Sequence, residues 1–215
     1  MDKEIRIKVF RPFGPAIAEI DIPNQLVKKL NEFTDDCVSN EEKRKKLDAS
    51  DHLIGQVHQE FHVAREFYEK HLKKFLTTAV GSYVENINRK QIKNFKVLNC
   101  WIVRQFKNEY NPNHYHNGHI SGVGYLTVPK DMGVHKNEKK KKPNGKIELI
   151  HGSRMFLSPA QYQITPTVGK LYLFPHYLMH TVYPFNADGE RRSFSFNSEV
   201  DEDIYRATYA GSAAK

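Results

Sequence analysis

Cysteine is scarce in this 215-residue chain: only Cys37 and Cys100 are present, with a single tryptophan and four methionines. Two cysteines make neither a disulfide framework nor a zinc cluster, so the expected setting is reducing and intracellular. No stretch approaches the roughly 18 consecutive apolar residues that a membrane span needs. Met1-Asp2-Lys3-Glu4 is charged and leads into no apolar segment, which reads as no secretory signal and a cytoplasmic protein. No internal repeat is visible. With 39 % hydrophobic, 27 % charged and 12 % aromatic residues, the chain is neither disordered, collagenous nor a coiled coil. Its length fits one domain, 1–215.

Acidic residues are outnumbered, 25 against 33 Lys plus Arg, for a net charge of +8. The run Lys136 to Lys146 (KNEKKKKPNGK) carries +5 of that excess. A nucleic-acid surface spreads its charge over a face. One lysine run with Pro-Asn-Gly reads instead as a solvated connection between strands. A phosphate-contacting loop is the other reading, so a nucleic-acid partner is possible but not favoured.

Residues 1–94 read as strands followed by buttressing helices. Ile5, Ile7, Val9 and Phe10 alternate, Pro12, Gly14 and Pro15 break the run, and Ala16 to Ile22 predicts a second strand of a hairpin. Pro23 suits a first helical position, with Leu26, Val27, Leu30 and Phe33 at helical spacing behind it. Thr34 to Ser50 lacks a sustained period and reads as loop or frayed helix. The clearest helix spans about Gln56 to Asn88, where Phe61, Ala64, Tyr68, Leu72, Phe75, Ala79, Tyr83 and Ile87 form one stripe.

Residues 95–200 read as strands at short intervals: Val97–Phe106, His119–Val128, Lys146–Ile150, Gln161–Thr165, Lys170–Phe174 and Arg191–Asn197. Such spacing indicates a sandwich or barrel. The fold class is α+β, a jelly roll with N-terminal helices packed against it, followed by a tail over 201–215.

Three of the eleven histidines, His114, His116 and His119, fall within six residues. In extended backbone, i and i+2 share a face, so His114 and His116 can offer two imidazoles to one ion. His180, in LFPHYLMHTVYP, is the best third donor. His-x-His alone is weak, since surface and core histidines are commoner than ligands. In Arg191-Arg-Ser-Phe-Ser-Phe-Asn197, Arg191, Ser193 and Ser195 share one face, and Arg192, Phe194 and Phe196 the other. Arg191 with Ser193 can grip a carboxylate facing inward, with Arg192 outward. The bland reading is a salt bridge from Arg191 to Glu148 or Glu190.

The ordered series His114-x-His116, Ile120-Ser-Gly-Val-Gly-Tyr-Leu126, Gly169-x-Leu-x-Leu-Phe-Pro175, His180 and Arg191-x-Ser193-x-Ser195-Phe196-Asn197 resembles the 2-oxoglutarate- and Fe(II)-dependent oxygenases. The resemblance covers about half the chain. It is nearest a group found in tailed phages and marine bacteria, related in fold to prolyl 4-hydroxylases. It implies a double-stranded β-helix, the cupin-like jelly roll. It also implies Fe(II), 2-oxoglutarate and dioxygen, with decarboxylation to succinate coupled to hydroxylation of an unidentified substrate, whether peptidyl, nucleotide or small metabolite. A phage origin would place the protein in the host cytoplasm.

Carried over, His114 and His180 take the places of the metal histidines. Arg191 takes that of the arginine on the distal carboxylate of 2-oxoglutarate, with Ser193 assisting. The wider superfamily usually has an acidic residue where this chain has His116. His116 as a ligand is favoured; Glu109 reaching the metal, or an empty position, are the alternatives. Three neutral imidazoles would leave the ion a larger net charge and a stronger pull on the anionic cosubstrate. Tyr110, Tyr125 and Tyr172 are candidates for hydrogen bonds to 2-oxoglutarate or for the pocket wall. His176 reads as a supporting or surface residue, and His119 as a substitute ligand should its strand start late. Two rivals remain: a cupin-like metal dioxygenase without 2-oxoglutarate, which has no need of the arginine, and a non-catalytic phage binding module on the same barrel.

Overall fold

The computed structural model of the protein describes residues 5–10, 14–50, 54–134 and 144–210, with side chains through Arg206. Lys136 to Pro143 of the lysine run lie outside the described residues; Asn144 and Gly145 turn into the next strand. No helix among the described residues is long and apolar enough to cross a membrane.

Among the described residues, eleven strands form two antiparallel sheets. The larger is built from β1 (Ile7–Phe10), β2 (Ile17–Asp21), β3 (Gln59–His62), β4 (Phe95–Gln105), β6 (Ile120–Thr127), β9 (Lys170–Pro175) and β11 (Arg191–Val200), in the order β1-β2-β9-β6-β11-β4-β3. The smaller holds β5 (Asn111–His114), β7 (Ile147–Ile150), β8 (Gln161–Ile164) and β10 (Met179–Val182), in the order β5-β10-β7-β8. This is the jelly roll expected from the strand spacing. The β1–β2 hairpin extends its larger sheet, with Phe10 opposite Ile17 and Ile7 opposite Ile20.

Two apolar cores follow from the alternation of side chains along each strand. On the outer face of the larger sheet, Phe194, Phe196, Ile102, Leu171 and Leu173 meet helices α1 (Asn24–Ser39) and α4 (Lys73–Asn88) through Leu30, Leu76 and Val80. Between the sheets, Val123, Tyr125, Leu149, Ile164 and Phe174 form the second core. Gly122 and Gly124 lie opposite Phe196 and Phe194 on the neighbouring strand. A Cβ on Gly124 would sit 2.2 Å from Cε1 of Phe194, so glycine makes room for the rings. Each such buried Phe contributes on the order of 2–3 kcal/mol.

The N-terminal half departs from the sequence expectation in three places. Pro23 caps α1 from just outside rather than opening it. Thr34 to Ser50 is mostly helical: α1 continues to Ser39, and α2 (Glu41–Leu47) follows, capped by Asn40, whose side chain accepts from Lys43 N at 3.0 Å. Its acids Glu41 and Glu42 lie in the first turn and its bases in the last, a charge order that stabilises a helix lacking any buried residue. The expected helix from Gln56 starts only at α3 (Arg65–Phe67), which runs through a π-helical turn, Tyr68–Leu72, into α4. Gln59–His62 is instead the edge strand of the larger sheet, paired with Trp101–Arg104. Phe61 satisfies either period, and tertiary pairing decides. The segment from residue 201 begins with α5 (Glu202–Ala210).

Candidate metal and cosubstrate site

The histidines meet at one end of the smaller sheet. His114 is the last residue of β5 and His180 lies in β10; the two are cross-strand partners. Their rings are 4.2 Å apart between centroids, and each is 4.9 Å from the ring of His116. One ligand-type nitrogen from each of the three lies within 4.8 Å of the other two. Neither strand was foreseen from the sequence, because Asn111-Pro-Asn-His and Met-His-Thr-Val are too short and polar to show a period.

Hydrogen bonds set two of the tautomers. His114 Nδ1 lies 2.7 Å from Pro112 O, and His180 Nδ1 lies 2.9 Å from Leu178 O. A carbonyl only accepts, so Nδ1 carries the proton in both rings and Nε2 keeps its lone pair. Burial lowers the His180 imidazole well below its ordinary value, and repulsion from His114 and His116 adds to that. Burial, then His114 and His176, push His116 down to about 4. His114 is also lowered by burial. Three neutral imidazoles with converging lone pairs suit a borderline divalent ion such as Fe(II). This donor set therefore fits the metal. Glu109, the carboxylate alternative, is outside the cluster: it accepts from Phe106 N at 2.8 Å and contacts His58 Nδ1.

The same cavity is lined by Arg191, Ser193 and Ser195 of β11 and by Gln105 and Trp101 of β4. Arg191 is 2 % exposed. Its Nη1 donates to Gln105 Oε1 at 2.9 Å, and its Nη2 donates to Tyr125 Oη at 3.3 Å. Its Nε has no hydrogen-bond partner, and no carboxylate pairs with it among the described residues. A buried guanidinium left this way is costly unless an anion completes it. Glu148 does not serve, being engaged by the Tyr183 hydroxyl. Glu190 does not serve either, since Arg104 and Arg192 hold it. The residues thus fit the carboxylate of a small diacid.

Arg192 is partnered on the outer side of the sheet. It lies on the opposite face from Arg191 but is not solvent-facing: 6 % exposed, it is covered by α1 and pairs with Glu190 at 2.6 Å and Asp35 at 2.8 Å. Of the three tyrosines, only Tyr125 touches Arg191. Tyr172 donates to Glu19 at 3.1 Å, Tyr110 is 42 % exposed, and neither lines the cavity. His119 and His176 lie outside the ligand cluster and contact α5 instead.

Two neighbours of the site were missed by sequence reasoning. Gln105 closes β4 and bridges Arg191 to the backbone, its Nε2 donating to Glu109 O at 2.5 Å. A lone glutamine at a strand end carries no signal. Glu60 is 1 % exposed, and its Oε1 has no hydrogen-bond partner. It is opposite Val103, a cavity residue, on the neighbouring strand. Burial, with Asp48 and Glu109 adding, pushes its carboxyl up to about 8.

Comparison with known proteins agrees with this architecture. Residues 99–197 match a family model described as "Putative 2OG-Fe(II) oxygenase". That stretch, a little under half of the chain, holds every histidine of the cluster and Arg191, and over it the chain is similar to the 2OG-Fe(II) oxygenases, oxidoreductases whose metal and cosubstrate are Fe(II) and 2-oxoglutarate. No curated protein matches the sequence. Among solved structures, a prolyl-4-hydroxylase from Pseudomonas putida aligns at 16 % identity and TM-score 0.52, over 84 % of this chain and 91 % of its own. AviO1 from Streptomyces viridochromogenes aligns at 12 % identity and TM-score 0.56, over 86 % and 90 %. HygX from Streptomyces hygroscopicus, solved with nickel and 2-oxoglutarate bound, aligns at 10 % identity and TM-score 0.53, over 85 % and 81 %. At these identities the likeness is one of fold.

Proposed function

We propose that the protein is an Fe(II)- and 2-oxoglutarate-dependent dioxygenase that hydroxylates a C–H bond. The balance is one substrate C–H, one 2-oxoglutarate and one dioxygen to one C–OH, one succinate and one carbon dioxide. The observation that carries the reading is the buried, carboxylate-free Arg191 sharing one cavity with His114, His116 and His180. An enzyme using the metal alone has no use for that arginine.

In this reading His114, His116 and His180 hold the metal through neutral imidazoles. Arg191 supplies the fork for the distal carboxylate of 2-oxoglutarate, and Ser193 and Tyr125 add hydroxyls beside it. Gln105 holds Arg191 by Nη1 and so fixes the direction of the fork. Phe174, Val123 and Val182 form the apolar wall that keeps water away from the charges. Bound iron supplies the redox chemistry, and the protein supplies ligand geometry, anion recognition and a dry cavity. Tyr110 and Tyr172 have no part in it.

The test is anaerobic titration of the metal-free protein with Fe(II) and then 2-oxoglutarate. A metal-to-ligand charge-transfer band in the visible region is expected only when both are present. Fe(II) binding with no response to 2-oxoglutarate would transfer the assignment to a cupin-like metal dioxygenase. Absence of Fe(II) binding would leave a binding module.

A further inference from the structure

The three histidines are not held alike. His114 and His180 sit in paired strands, and each ring is pinned by its Nδ1 to the carbonyl two residues earlier. His116 lies beyond the end of β5. Among the described residues its ring makes no hydrogen bond, and its one close aromatic neighbour outside the cluster is the Trp101 ring, 5.8 Å away edge-on. What holds His116 is its main chain, and one residue takes both of its backbone groups. His116 N donates to His176 O at 3.0 Å, and His176 Nδ1 lies 2.9 Å from His116 O.

That second bond sets the protons further out. Because the His116 carbonyl accepts, His176 Nδ1 carries the hydrogen and its Nε2 must accept. The group at Nε2 is the hydroxyl of Tyr205, 3.1 Å away, which therefore donates. Tyr205 belongs to α5, and its ring stacks on His119 at 3.9 Å with planes 7° apart. His119 is fixed in turn, its Nδ1 accepting from Val200 N at 3.1 Å while its Nε2 faces Glu202 at 3.6 Å. His176 N also donates to His119 O at 3.2 Å. Gly118, between His116 and His119, has φ +93°, and a Cβ there would meet Ser198 O at 2.9 Å. The loop carrying His116 is thus bound on both sides, to His176 and to the strand that leads into α5.

We infer that His176 and Tyr205 are positioning residues that clamp His116 in its place beside His114 and His180, making helix α5 a structural part of the metal site. The inference rests on the reading of His116 as a metal ligand. Residues that orient a ligand from outside the coordination sphere typically change metal affinity by 10- to 100-fold when removed.

The experiment is Co(II) titration of the metal-free protein, followed by its visible d–d bands, which report ligand geometry rather than overall folding. His176→Leu removes both side-chain bonds and is expected to weaken Co(II) by about tenfold or more and to shift the bands. His176→Asn keeps a donor at the Nδ1 position while losing reach to Tyr205, and should recover most of that loss. Tyr205→Phe keeps the ring on His119 but deletes the hydroxyl. It should weaken Co(II) by about threefold, about the effect of one neutral hydrogen bond. Should His176→Leu misfold, Tyr205→Phe and His176→Asn still decide the matter. If these variants bind Co(II) as the wild type does, with unchanged bands, while His116→Ala loses affinity, the clamp is wrong. If His116→Ala itself binds Co(II) with wild-type affinity and bands, the ligand reading beneath it fails instead.

Discussion

Arg191 and Arg192 are adjacent in sequence and point to opposite faces of β11, with opposite surroundings. Arg192 is saturated: Glu190, Asp35 and the Asn31 carbonyl and amide oxygens take its guanidinium under α1. Burial alone would raise Glu190, but hydrogen bonds from Arg104 and Arg192 outweigh it and hold its carboxyl below the ordinary range. Arg191 has only a glutamine oxygen and a phenol, and one of its nitrogens is orphaned. The same contrast extends along the sheet. The outer face is Phe194 and Phe196 against helices, whereas the inner face is Ser193 and Ser195 in a cavity. One face completes its interactions within the chain; the other leaves them to be completed by what binds. Stability and function are therefore separable by face, and mutations on the two faces should have different readouts.

The largest effect belongs to the inner side. His180→Ala removes a ligand from a cluster of three and is expected to weaken Fe(II) by more than about 100-fold, since perturbing even a supporting residue reaches that range. Equilibrium titration under anaerobic conditions measures it. His176→Ala should weaken Fe(II) without abolishing it. Equal loss in both variants would mean that His176 ligates, and the inner face would have to be redrawn.

Glu60, an inner-face group beside the cavity, is an exception to that separation, because its buried carboxyl is expected to make stability depend on pH. Its folded carboxyl is raised to about 8 from an ordinary 4.5. Between those values the folded protein holds a proton that the unfolded chain has released. Stability should then fall as pH rises from about 4.5 through about 8 and level off above, with a slope of at most about 1.4 kcal/mol per pH unit. Glu60→Gln should flatten that stretch. Urea midpoints for both proteins at pH 5.5, 7 and 8.5 decide it, and an unchanged slope in the variant would show that another group is responsible.

Arg191→Met should reduce 2-oxoglutarate affinity at least tenfold, about 1.4 kcal/mol or more, while sparing Fe(II). The free protein should lose little stability, because the substitution removes a charge with no carboxylate partner. Calorimetry and thermal shift together test this: 2-oxoglutarate should raise the Tm of the Fe(II)-loaded wild type and not that of the variant. If the variant binds 2-oxoglutarate normally, the inner face does not serve as its anchor.

Much of this contrast is legible in the sequence alone. The alternation in Arg-Arg-Ser-Phe-Ser-Phe separates the two faces through a local period, and the ordered series of motifs around His114, His116 and His180 brings out the cluster. What stayed hidden depends on partners remote in sequence. Arg192 is placed outward by the alternation, but nothing nearby in sequence announces Asp35 or Asn31 as its partners. Gln59–His62 looked helical because Phe61 fits the helix stripe as well as the strand. The short strands carrying His114 and His180 lack any period, and Tyr205 lies far along the chain from the histidine loop that it contacts.

Arg192→Met is the outer-face counterpart and the smallest change expected. Methionine keeps much of the length that packs beneath α1 and removes the charge. Glu190 is not stranded by the loss, because Arg104 still donates to it at 2.7 and 2.8 Å. Asp35 is largely exposed, with its side chain 67 % accessible, so it regains water. The cost is therefore below the 3–5 kcal/mol of a truly orphaned buried partner and nearer about 1–2 kcal/mol. It should appear as a lower urea midpoint at unchanged 2-oxoglutarate and Fe(II) affinity. Because the partnership is ionic, part of the difference between wild type and variant should shrink in high salt. A variant that instead loses 2-oxoglutarate affinity would mean that the two faces of β11 are coupled through the strand. Separability by face would then fail at the residue where it is drawn most sharply.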